Sequence, residues 1–149
     1  MSWIVQECSS REAIMARLPQ LGEPFLAMFE SLWEQPHVPG PVLELCRLRM
    51  AQLHRSEGDQ AQAVVPVDAV RRAALRDWHR SPLFTEAERA CLEFTEIYAM
   101  DALAITDAQA EAVKTHYGDV GLVALVQSLG VFDGLQRLGL IWRTSKQEA

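Results

Sequence analysis

With 149 residues, 49% hydrophobic and 23% charged, the chain is sized for one globular domain with its own core and lies outside the disordered class. A formal charge of −6 and a pI near 5.2 exclude general nucleic-acid binding, which needs a concentrated basic footprint. Three cysteines, Cys8, Cys46 and Cys91, show no CxxC spacing; this is no disulfide framework and no zinc pattern, and core thiols in a reducing cytoplasm are expected.

The N-terminal MSWIVQECSSRE has neither a basic stretch nor an apolar one, so no signal peptide is expected. Ser9 or Ser10 can cap a first helix reaching about Leu18. Pro19–Pro24 reads as a break. Pro24 then opens a second helix, Phe25–Trp33, with Phe25, Met28, Phe29 and Leu32 at helical spacing. The QPHVPGP segment from Gln35 to Pro41 is expected to be an ordered loop. A third helix follows from Val42 to about Leu53, striped by Val42, Leu45, Cys46, Met50 and Leu53. It ends in a polar elbow, His54–Gln60, whose Gly58 is the expected breaking point. Pro66 is expected to start a short helix.

Two capping boxes come next. Thr85 with Glu88 opens a helix carrying Ala87, Cys91, Phe94 and Tyr98, and Thr106 with Gln109 opens one to about His116. Gly118 suits the position just past a helix end, and Asp119 is expected to cap a last helix, Val120 to about Arg143. That tract is long enough to span a bilayer. It contains Gln127, Asp133, Gln136 and Arg137, and charge at that depth is costly in lipid, so a buried helix at the centre or at a subunit interface is expected. Gly121, Gly130, Gly134 and Gly139 suggest close approach of neighbouring helices, with a break at Gly130 as the alternative. No strand signal is present, and the fold class is all-α: a single domain over 1–149 of six to seven helices.

The strings ELCRLRMAQL, SPLFTEAERACLEFTE, ITDAQAEAVKTHYGDVGLVALV and LQRLGL, in that order, resemble the AhpD-like/carboxymuconolactone decarboxylase superfamily from about Leu18 to Ile141. The resemblance implies an all-helical subunit of a homo-oligomer, a trimer or a hexamer. In the peroxidase branch of that family, a CxxC pair follows the Ala-Gln-Leu, with a histidine four residues later and a glutamate one helix-length earlier. One thiolate attacks peroxide, the second thiol resolves the sulfenate, and glutamate and histidine relay the proton. On this chain the glutamate falls on Glu44, the cysteines on Ser56 and Asp59, and the histidine on Ala63. A serine hydroxyl is too weak an acid to replace a redox thiolate, so thiol peroxidase chemistry by the family mechanism is excluded unless Cys46 or Cys91 substitutes. The decarboxylase branch's motif is not found.

Glu44 is then either a surviving general base or the partner of an arginine, Arg47 at i+3 or Arg137 from another helix. Arg47, His54 and Arg137 are candidate ligand contacts. His54, Ser56 and Asp59 hold the ingredients of a nucleophile with its base, but one elbow is a poor frame for groups that must converge from separate elements; the plainer reading is a polar loop with a capping serine. His54, Glu57 and Asp59 do not make a metal pattern, and no cofactor is indicated. The expectation is a non-redox, small-ligand-binding oligomer subunit without membrane or nucleic-acid partners. An enzyme with a rearranged peroxidase or lactone site and a purely structural or regulatory oligomer are the alternatives. They differ in what faces Glu44: a cavity with a second titratable group, an apolar pocket, or a sealing arginine.

Overall fold

The computed structural model describes residues 10–144, so Cys8 and the Ser9 cap lie outside the described residues. Within them the chain forms α1 (Arg11–Met15), α2 (Pro19–Leu32), α3 (Gly40–His54), α4 (Glu57–Ala61), α5 (Ala69–Ala74), α6 (Glu86–Met100) and α7 (Asp107–Ile141), with short 3-10 turns at Leu75–Arg80 and Ala102–Ala104. Among the described residues there is no strand.

Local chemistry sets most boundaries. Ser10 caps α1 by accepting from the Ala13 amide at 3.1 Å. Both capping boxes form as their sequences predict, at Thr85/Glu88 and at Thr106/Gln109. The interval Pro19–Pro24 is not a break. Pro19 sits in the first turn of α2, where a missing N–H costs nothing, and Pro24 is carried inside the helix. Gly22 explains why the turn is tight: a Cβ there would lie 2.5 Å from the Met15 carbonyl oxygen. Likewise Pro66 does not start α5; Asp68 does, accepting from the Val70 and Arg71 amides.

The elbow turns one residue after α3, not at Gly58, which lies inside α4. Arg55 adopts φ 58°, ψ 34°, and its amide and that of Ser56 donate to the Gln52 and Ala51 carbonyls at 3.2 and 2.9 Å. This is the left-handed helix ending that glycine usually supplies. Ser56 then caps α4 directly, accepting from the Asp59 amide. The chain thus reverses between α3 and α4 with no loop to spare, bringing α4 back onto α3.

α3 packs against α6 and α7, and α2 lies against α7. It is α3, more than α7, that is enclosed on every side: Val42 through Leu48, Met50 and Ala51 are all buried. Its charges permit this because each has a partner, Arg47 with Glu44 and Arg49 with Glu96 at 2.7 Å. α7 passes as a bilayer span by length and composition, yet one face packs on α2, α3 and α6. Its other face leaves Val120, Val123 and Val126 exposed. Gly118 breaks it as expected, with φ 70° and ψ −176°, a conformation almost reserved for glycine. Asp119 pairs with Lys114 at 3.0 Å. The helix continues through Gly130, and Gly130 and Gly134 face the Tyr98 hydroxyl and the Phe25 ring, side chains of neighbouring helices rather than their backbones.

Candidate functional site

Glu44 is wholly buried and every approach to it is taken. Its Oε1 accepts from Arg47 Nε at 2.8 Å and from Arg47 Nη2, and its Oε2 accepts from the Val64 and Val65 amides at 3.1 and 2.8 Å. Arg47 in turn donates to the Asp59 carbonyl at 3.0 Å and the Gln62 carbonyl at 2.7 Å. The pair therefore ties α4 and the linker after it to α3. Glu44 itself lines none of the described cavities, and with all its acceptor positions engaged it has the contacts of a strut rather than of a base.

Above this pair lies a cavity of ≈ 260 Å³ between α1, α2, α4 and α7. Its apolar wall is Leu26, Phe29, Phe132 and Leu135, with Val64 from the linker. Trp33 stiffens that wall, stacked on Phe132 at 5.5 Å and edge-on to Phe29 at 5.7 Å. Polar residues complete the lining: Arg11 and Glu12 from α1, Glu30, Arg47, Asp59, Gln62 and Gln136.

Ser56 and Asp59, where the sequence resemblance implies two thiols, are joined by a hydrogen bond, Ser56 Oγ donating to Asp59 Oδ2 at 2.6 Å. Asp59 also takes Arg11 Nη1 at 3.0 and 3.3 Å, and the same nitrogen reaches the Leu135 carbonyl at 2.9 Å. The Arg11–Asp59 pair lies between this cavity and a smaller one of ≈ 150 Å³ bounded by Ser10, Gly58, Gly139 and Thr144. Ala63, where the resemblance implies a histidine, is exposed in the linker and offers no polar side chain.

The structure does not gather the triad ingredients. His54 turns away to Asp133, with Nε2 at 2.7 Å from Oδ1, and Arg137 Nε donates to the same oxygen at 2.9 Å. Two of the proposed contact residues, His54 and Arg137, thus meet each other on Asp133 and line none of the described cavities, whereas Arg47 reaches the cavity wall. Arg137 makes its ion pair with Asp133, not Glu44. Arg11, Gln62 and the aromatic wall were not singled out by sequence, because nothing local marks residues that converge from four elements. Gln136 had a signal, a polar side chain inside an apolar tract.

Cys46 and Cys91 are free and fully buried, and neither lines a described cavity. Burial pushes the Cys46 thiol up to about 12 and the Cys91 thiol higher still, so neither is poised as a nucleophile. In the folded protein both stay unmodified by iodoacetamide at neutral pH and react once the chain is denatured, which mass spectrometry of the alkylated peptides reads. The unfolded chain sheds these protons from about pH 9, while the folded chain holds that of Cys46 to about 12. Their contribution to stability is therefore complete below pH 9 and declines as pH rises through that window, so the urea midpoint falls between pH 7 and pH 10.

No protein-family model matches the sequence, and no curated protein matches it. Solved structures do. The debrominase Bmp8, without ligand and as a cysteine-to-alanine variant in complex with 2,3,4-tribromopyrrole, superposes with a TM-score of 0.81 at 16% identity. Those alignments cover 93% of this chain and 77% and 76% of the two Bmp8 chains respectively. A protein of unknown function from Agrobacterium tumefaciens, ATU0492, described with reference to the antioxidant defence protein AhpD, matches with a TM-score of 0.77 at 17% identity over 91% of this chain and 96% of its own. The fold is AhpD-like.

Proposed function

We propose that this chain binds a small, largely apolar organic molecule in the cavity between α2, α4 and α7, without thiol redox chemistry. The observation that carries the reading is the cavity's make-up: an aromatic and aliphatic wall with Asp59 beside it, that carboxylate being held by Ser56 where the resemblance puts two thiols. Pockets of this kind take small ligands by shape and a few polar contacts. That a fold relative holds a bromopyrrole supports a compact ring as the class of occupant. A rearranged peroxidase or lactone-opening site is less well supported, because Glu44 is sealed by Arg47 and Asp59 is engaged by Arg11 and Ser56. The exposed Val120, Val123 and Val126 along α7 favour, beside this, an assembly of like subunits through that face.

Purified protein is expected to show no reduction of an alkyl hydroperoxide by a thiol reductant, while ligand-observed NMR with a small-ring fragment set returns binders that shift Phe29 and Phe132 resonances. Turnover of the hydroperoxide that disappears in the triple Cys8→Ser, Cys46→Ser, Cys91→Ser variant defeats the proposal.

A further inference from the structure

The main cavity carries at its opening a charge that its interior does not. Inside, each arginine already has a carboxylate: Arg47 pairs with Glu44, and Arg11 Nη1 with Asp59 at 3.0 Å. Glu12 and Glu30 remain. Both line the cavity and both are exposed to solvent, so they sit where it opens. Glu12 shares the guanidinium that Asp59 already holds, reaching Arg11 Nε at 3.3 Å with its side chain 50% exposed. Glu30 has no hydrogen bond or ion pair from its side chain among the described residues. It follows Phe29 and stands four residues after Leu26, so the three share a side of α2, and all three line the cavity. The apolar wall of α2 therefore ends at an unneutralised carboxylate, with a second one, sharing its arginine, on α1.

Two such carboxylates at one opening hold a negative potential there, and the net charge of −6 over the chain adds to it. An anionic ligand is repelled at that point, and a neutral one gains nothing from it. Exposed carboxylates keep much of their water, so each contributes modestly, and the apolar wall supplies the larger part of the affinity. We infer that the cavity takes an arylalkylammonium ion: a compact ring lies against Phe29 and Phe132, and a short chain carries a protonated amine out to Glu30, with Glu12 adding attraction from α1. This rests on the ligand-binding reading above and adds to it a charge: the occupant is a cation whose charged end stays at the opening.

Phenethylamine, phenethyl alcohol and hydrocinnamate test it, since they share a phenyl ring on a short chain and differ in the charge at its end. Calorimetric titration of the full chain at neutral pH and low salt is expected to show the amine binding about fivefold more tightly than the alcohol, with the acid weakest. That preference shrinks in about 0.5 M sodium chloride, where exposed charges are screened within a few ångströms. In Glu30→Gln the amine falls to within about twofold of the alcohol. Glu30 is exposed and bonded to nothing among the described residues, so this variant keeps the fold. Glu23→Gln is the control for long-range attraction: it removes an exposed carboxylate from the same helix that lines none of the described cavities, and the amine preference persists in it. Equal affinities for amine and alcohol, a preference for the acid, an amine preference that survives Glu30→Gln, or one lost equally in Glu23→Gln each overturn the inference and leave the ligand-binding reading standing. Failure of all three compounds to bind up to their solubility overturns the inference, and the reading falls with it when the small-ring fragment set also returns no binder.

Discussion

Glu44→Ala lowers the free energy of unfolding by about 3–5 kcal/mol, the cost of stranding one member of a buried ion pair. Arg47 would keep its guanidinium in a site that is 4% exposed with two carbonyls as its remaining partners. The Val64 and Val65 amides would lose the carboxylate oxygen they share, adding unsatisfied donors to the unpaired cation. The loss appears as a lower urea midpoint at nearly constant slope. Glu44→Ala with Arg47→Met removes the stranded charge, so the double variant is expected to recover part of the loss, and the double-mutant cycle gives the coupling directly. A Glu44→Ala variant of unaltered stability would return Glu44 to the list of candidate bases.

Asp59→Ala is the second large effect, expected at about 3 kcal/mol because hydrogen bonds to charged groups and partly buried pairs both go. Asp59 holds three elements at once. It accepts Ser56 Oγ at the start of α4, it pairs with Arg11 of α1, and its carbonyl receives Arg47 of α3. Truncating the side chain leaves Arg11 with the Leu135 carbonyl alone on that nitrogen, so α1 loosens and the two cavities beside the pair merge. Faster amide exchange over residues 11–15 and easier proteolysis near α1 report the detachment. Asp59→Asn keeps an acceptor for Ser56 and is expected to lose about half as much. Were Asp59 a working base and nothing more, Asp59→Asn would leave exchange in α1 untouched.

The elements that repeat a local rule were readable. Two capping boxes, the glycine break at 118 and the helical spacing of Phe25, Phe29 and Leu32 depend on contacts within a turn or two, and the all-α class followed from them. Boundaries set by tertiary approach were not. Pro19–Pro24 resembles a break by every local criterion, yet Gly22 lets that turn close against Met15, and packing outweighs one lost hydrogen bond. The elbow offered a glycine at 58, whereas the turn is made by Arg55 in a left-handed conformation; the two hydrogen bonds ending α3 compensate a strain that local preference would avoid.

For the site, the division is sharper. Residue types in order were enough to show that no CxxC exists, that Glu44 has an arginine one turn away, and that Ser56 and Asp59 stand at the thiol positions the resemblance implies. They could not say which of several partners each charge would choose. Glu44 had two arginines available and took Arg47, Arg137 took Asp133, and Asp59 reached 48 residues back to Arg11. Charge pairing in a low-dielectric interior depends on distances of a few ångströms between elements far apart in the chain, and sequence spacing does not encode these. The cavity is a product of the same packing. Its wall comes from α2 and α7, its floor from Arg47 and Gln136, and only the folded arrangement leaves the Gln136 oxygen facing no donor.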